Sequence, residues 1–114
     1  MVNYRKATLE DVKPIRNLLL NWLDESPLRL GKPNTKKGDS YIYDIIYNNF
    51  VIVAEKDNKI VGTISVVDED TWYTDKKFFR VNWLYVDGKK RNSRIAKKLL
   101  EYVKEYVKIN KMPL

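Results

Sequence analysis

The residues best placed to do chemistry lie in one stretch, Val86-Asp87-Gly88-Lys89-Lys90-Arg91-Asn92-Ser93-Arg94-Ile95-Ala96-Lys97-Lys98-Leu99-Leu100. A strand pattern ends there, a basic turn follows, and a helix pattern begins. The first amides of a helix have no acceptors within it, and they sit at the positive end of the helix dipole. A phosphate or pyrophosphate can accept hydrogen bonds from several of them at once. Arg91 and Arg94 are placed to add charge-assisted contacts, and Lys89, Lys90, Lys97 and Lys98 to add longer-range attraction. The competing reading is a solvated basic surface after an ordinary turn, which is what most charge runs are.

Composition narrows the remaining chemistry. The 114 residues carry a net charge of +7. Residues 87–111 hold nine Lys or Arg and three Asp or Glu, so +6 of the excess falls in that segment. A local anionic partner is therefore expected, not a uniformly basic surface. The chain has no cysteine and no histidine. Disulfides, thiolate nucleophiles, Cys/His zinc sites and Ser-His-Asp triads are excluded, and no metal is expected. Acid–base work falls to Asp, Glu, Tyr, Lys, backbone groups or water. No apolar run reaches the roughly 18–20 residues a membrane span needs, and no signal-peptide core follows the N-terminus. A cytoplasmic location and one domain over residues 1–114 are expected.

The elements that must position the turn follow from periodicity. Val2–Lys6 reads as a short strand. Val12, Ile15, Leu18, Leu19, Trp22 and Leu23 fall at helical spacing, with Asp11 as N-cap, Pro14 in the first turn and Trp22 in the core. Residues 27–40 read as a loop, and Asp39 or Ser40 as the cap of a second helix through Tyr47. Phe50–Ala54 is a β-branched buried strand. Asp57-Asn58-Lys59 is a tight turn, and Lys59–Val67 the hairpin partner, with a bulge near Gly62. Asp68-Glu69-Asp70 reads as an acidic loop, and Phe78–Val86 as a fourth strand. The final helix runs from Ser93 to about Ile109, with Ile95, Ala96, Leu99, Leu100, Val103, Tyr106 and Val107 on its apolar face. Met112-Pro113-Leu114 resembles the entry to another strand. The order is β-α-α-β-β-β-α, an α+β arrangement with a meander packed against helices.

Arg91-Asn92-Ser93-Arg94-Ile95-Ala96 is similar to the acetyl-CoA motif of the GNAT N-acetyltransferases, Q/R-x-x-G-x-G/A. Val86 ends its strand five residues before the motif, and Leu99-Leu100 follow, as in the family. Arg5-Lys6-Ala7-Thr8-Leu9-Glu10-Asp11-Val12 resembles the family's first strand and helix start, and Val61-Gly62-Thr63-Ile64 its third strand. The ordered set spans almost the whole chain. It implies an α/β sandwich-like fold with a mostly antiparallel central sheet, lacking the family's C-terminal part. It further implies acetyl-CoA as cosubstrate, with Arg91, Asn92, Ser93, Arg94, Ile95 and Ala96 around its pyrophosphate. The backbone of Leu84, Tyr85 and Val86 would lie along the pantetheine arm. One departure stands out: the motif's central glycine is Arg94 here. Glycine lets backbone approach a pyrophosphate closely.

The resemblance implies direct attack of a primary amine on the acetyl thioester, with a backbone N–H near Tyr85 or Val86 at the oxyanion. The amine must lose a proton, since a lysine-like amine has a pKa of about 10.4. A family glutamate six residues before the terminal valine is Arg80 here. Asp68, Glu69 and Asp70 are candidate bases acting through water, against the reading of a solvated acidic loop. Tyr85 is a candidate acid, against the reading of a packing residue. Tyr41, Tyr43, Tyr47 and loop 27–40 are placed to line an acceptor site for a small-molecule or protein amine. The truncated sheet edge admits completion by a second copy or a partner chain. Two other classes remain open: an inactive GNAT-like binding or assembly module, and a salt-sensitive nucleic-acid binder using residues 87–98 with Trp83 and Tyr85.

Overall fold

In the computed structural model, residues 2–25, 31–88 and 94–110 are described. The order along them is strand β1 (Asn3–Lys6), a 3-10 turn (Leu9–Asp11), helix α1 (Val12–Glu25), helix α2 (Thr35–Asn48), strands β2 (Phe50–Lys56), β3 (Lys59–Asp70) and β4 (Lys77–Val86), and helix α3 (Ile95–Asn110). The strands form one antiparallel sheet in the order β1-β2-β3-β4. The expected α+β order is therefore the observed one, a four-stranded antiparallel sheet flanked by helices.

The hairpin β2–β3 turns on Asp57 and Asn58, with φ of 53° and 64°. Two successive left-handed residues match the right-handed twist of the flanking strands, and Asp and Asn tolerate that conformation better than most. Side chains alternate across the sheet. Ile52, Ala54, Ile64, Val66 and Val86 pack on one face against Ile95, Leu99 and Val103 of α3. Val51 and Val53 pack on the other against Val12 and Ile15 of α1 and Ile42 of α2. The expected apolar face of α3 is thus the face that covers the sheet.

Two irregularities shape the sheet. Ala54 faces Gly62 while Glu55 faces Ile60, so Val61 is an extra residue on β3 beside Gly62. Ser65 faces Trp83 while Val66 faces Val81, so Asn82 is an extra residue on β4. A bulge of this kind bends its strand and turns two adjacent side chains towards one side.

Several boundaries differ from the sequence reading, each for a local reason. The cap of the first helical segment is Thr8, not Asp11. Thr8 is extended, its amide donates to Asp11 Oδ2 at 2.7 Å, and the Asp11 amide donates to the Thr8 carbonyl at 2.9 Å. Asp11 thus caps backwards from the third position of the turn. The second helix starts at Thr35, not at Asp39 or Ser40. Asn34 accepts from the Lys37 amide at 3.0 Å and initiates it, so Gly38 falls inside a helix. Residues 68–70 continue β3 instead of forming a loop, because Lys77 stands opposite them on β4, 3.6 Å from Asp68 and 3.9 Å from Asp70. Opposite charges across adjacent strands support the ladder. Trp22 is not in the core; it is 52% exposed.

Candidate functional site

The bulge at Asn82 sets the geometry of the first half of the site. Asn82 and Trp83 both turn towards the α1–α2 face. The Asn82 side-chain amide donates to the Tyr41 hydroxyl at 2.9 Å. Trp83 Nε1 donates to Thr63 Oγ1 at 3.1 Å, and that hydroxyl donates to the Ile52 carbonyl at 3.1 Å. The indole is therefore fixed from beneath by a buried polar relay. In front of it lies a cavity of about 490 Å³, walled by Leu19, Trp22 and Leu23 of α1, Tyr41 of α2 and residues 81–84 of β4.

The second half is the start of α3. The Lys98 amide donates to the Arg94 carbonyl at 3.1 Å, which is the first hydrogen bond of the helix. The amides of Ile95, Ala96 and Lys97 precede that bond and have no acceptor within the helix. Arg94 has φ of 64°, in the left-handed region where L-residues other than glycine are rare. The chain thus keeps the backbone of a glycine at a position where it carries an arginine. The helix start is held close to the sheet. A Cβ built on Gly62 would lie 3.0 Å from Ile95 Cγ2 and 3.4 Å from Leu99 Cδ1, so only glycine fits here without displacement. The Asp87 amide donates to the Val61 carbonyl at 2.8 Å, which fastens the end of β4 to the same region.

Comparison with known proteins decides the family. Residues 47–113 match the family model described as an acetyltransferase (GNAT) domain. The chain belongs to the GNAT acetyltransferase family. No curated protein sequence matches it. Among solved structures, a predicted acetyltransferase with acetyl-CoA from Clostridium acetobutylicum superposes with a TM-score of 0.84 at 22% identity, over 98% of this chain and 77% of that one. Ribosomal-protein-alanine N-acetyltransferase from Brucella melitensis gives 0.74 at 20%, over 98% and 76%. Glucosamine-6-phosphate N-acetyltransferase from Arabidopsis thaliana gives 0.75 at 21%, over 98% and 78%. At these identities the likeness is one of fold.

Within this GNAT domain the expected site residues separate into groups. Leu84, Tyr85 and Val86 end β4, Arg94 immediately precedes α3, and Ile95 and Ala96 open it. Arg91, Asn92 and Ser93, with Lys89 and Lys90, lie outside the described residues, as do Met112, Pro113 and Leu114 and part of loop 27–40. Tyr85 is buried, and its hydroxyl donates to Glu25 Oε1 at 3.2 Å. That bond joins β4 to the last residue of α1.

The three acidic candidates do not share a face. Asp68 lines a small cavity with Phe79 and Tyr106 on the α3 side. Alternation puts Asp70 on the same side and Glu69 on the opposite one. Glu69 pairs with Arg80 across β3–β4. Arg80 is two residues before Asn82, so of the three carboxylates Glu69 alone lies on the cavity's face. Tyr41 lines the cavity. Tyr43 and Tyr47 stack on each other with ring centres 6.3 Å apart, and Tyr43 borders a separate cavity by Leu9, Lys13 and Asp39.

The sequence reading missed Asn82 and the cavity role of Trp22. A signal for the first was present. Inward apolar residues on β4 run Phe79, Val81, then Leu84, Val86, a step of three where a regular strand has two. No comparable signal marks Trp22, which continues the apolar spacing of α1.

A structural cluster supports the opposite corner. Arg5 donates to Asp11 at 2.7 and 3.0 Å and to Glu55 Oε2 at 3.3 Å. Burial pushes the Asp11 carboxyl up, but the Arg5 guanidinium and the Thr8 amide outweigh burial and hold it below its ordinary value. Among the described residues no helix is long and apolar enough to cross a membrane.

Proposed function

We propose that this protein is an N-acetyltransferase that moves the acetyl group of acetyl-CoA to a primary amine by direct attack. The observation that carries the reading is Arg94: its left-handed backbone precedes three helix-opening amides in a GNAT family member. A left-handed residue followed by successive N–H groups is an anion-binding arrangement. This geometry fits a pyrophosphate. Ile95, Ala96 and Lys97 would hold it through their amides, and Arg94 with Arg91, Asn92 and Ser93 through side-chain or backbone donors. Acetyl-CoA bound there supplies an activated thioester.

The other roles fall to residues around the bulge. The backbone of Leu84, Tyr85 and Val86 lies along the pantetheine arm, as an added strand would. A backbone N–H near Tyr85 or Val86 donates to the oxygen that gains charge during attack. The acceptor amine enters through the cavity over Trp83. Glu69 takes its proton through water; as the C–N bond forms the thioester C–S bond breaks, and coenzyme A leaves as a thiolate that takes up a proton from solvent. Tyr85 positions the site through Glu25.

Acetyl-CoA should raise the melting temperature, because a ligand of the native state alone stabilises it. At a hundredfold excess over Kd the gain is about 2.7 kcal/mol. Arg94→Glu should cut the shift sharply. No shift with acetyl-CoA, at concentrations where related coenzymes bind acyltransferases, would leave a non-catalytic binding module. Polynucleotide binding that fades with salt, without competition from coenzyme A, would leave a nucleic-acid binder.

A further inference from the structure

We infer that the acceptor is a small primary amine attached to an aromatic or branched apolar group, not a polycation or a polyhydroxylated amine. The inference rests on the acetyltransferase reading and deepens it at the same cavity. Its volume of about 490 Å³ suits a small organic ligand. Trp22, Tyr41 and Trp83 present aromatic surface, and Leu19 and Leu23 aliphatic surface. Trp22 and Tyr41 are each 52% exposed. Large aromatic side chains gain from burial, so an apolar ligand that covers them is favoured over water.

The polar groups of the cavity narrow the ligand further. None of its described lining residues carries a charge. A polycationic amine would find no carboxylate in the lining to pair with its second and third ammonium groups. One Asn82 N–H donates to the phenol oxygen of Tyr41, which leaves Asn82 its second N–H and its Oδ1. Trp83 Nε1 is already committed to Thr63 Oγ1. What remains among the described side chains is the Tyr41 O–H and the second N–H and Oδ1 of Asn82, a small polar group at one side of an otherwise apolar lining. A sugar-like amine with many hydroxyls would bury more polar groups than Asn82 and Tyr41 can pair, each extra one at a cost. A single ammonium is tolerated, because Trp and Tyr faces attract one cation through their π-systems.

The test uses the full chain with acetyl-CoA and three probe amines: 2-phenylethylamine, spermidine and kanamycin. A peptide with an N-terminal alanine serves as a fourth. Calorimetry first measures acetyl-CoA binding without any amine, and thiol release then gives kcat/KM for each probe. The expected result is that kcat/KM for 2-phenylethylamine exceeds that for the others about tenfold or more. Trp22→Ala should lower that value about tenfold while acetyl-CoA binding stays within about twofold. Trp22 is exposed, so this variant keeps its fold; circular dichroism confirms it. Better use of spermidine, kanamycin or the peptide overturns the inference. So does acetyl-CoA binding with no turnover of 2-phenylethylamine. Absent acetyl-CoA binding overturns the acetyltransferase reading itself, and the inference with it.

Discussion

The two faces of the sheet are built to different specifications. The α3 face is filled: Ile64, Val66, Ile95, Leu99 and Val103 are each at most 1% exposed. The α1–α2 face is filled towards β2 but opens at β4. There it holds a bulge, buried hydroxyls at Thr63 and Ser65, and aromatics left partly in water. Close packing leaves no room for a ligand, and a cavity forfeits dispersion contacts along its walls. The tightly packed core and the cavity proposed for the acceptor thus lie on opposite faces of one sheet. The filled face holds the start of α3 against β3, and the open face carries the cavity proposed for the acceptor.

Variants can break or sharpen this contrast. Leu99→Ala, at a site with no exposure, should have the largest effect. It should cost about 3 kcal/mol in urea unfolding. If the faces are energetically separate, acceptor preference should survive it. Asp11→Asn should cost about 2 kcal/mol, since it strips a charged partner from Arg5 and the Thr8 amide. The pH dependence has a fixed sign. The folded Asp11 pKa is depressed, so its contribution is complete above the unfolded value of about 3.9. It is lost as pH falls through the lower folded value. An acid titration of stability should be shallower in Asp11→Asn over that window.

Gly62→Ala tests how tightly the filled face is set. The new methyl would press on Ile95 Cγ2 at 3.0 Å. A cost of about 1.5 kcal/mol is expected. A coupled loss of acetyl-CoA affinity would tie the close approach to the phosphate cradle. Arg94→Gly has the opposite sign. Relief of a left-handed L-residue is worth about 1–2 kcal/mol, offset in part by greater freedom of the unfolded chain. A net gain of about 0.5–1 kcal/mol is expected. Lower acetyl-CoA affinity despite that gain would show that the side chain contributes contacts beyond the backbone. The smallest stability effect belongs to Trp22→Ala, within about 0.5 kcal/mol, as for other exposed substitutions. A larger loss would mean the open face is structural after all.

The sequence by itself determined everything that depends on local periodicity. The β-branched run at 50–54 marked a buried strand, and the helical spacing in 95–107 marked the apolar face of α3. The Asp57-Asn58 turn fixed the hairpin, and the ordered motifs indicated the family. Even the phase slip on β4 is written between Val81 and Leu84. What tertiary structure decided are the features whose cause lies far along the chain. Residues 68–70 are a strand because Lys77 and Arg80 face them from β4. Only the way α1, α2 and β4 come together around one space leaves Trp22 beside a cavity, though its spacing on α1 is that of a core residue. Arg94 is left-handed without the glycine that would announce it, so its conformation had to be seen. Local patterns constrain one element's own backbone, whereas a cavity is the space that several elements fail to fill together.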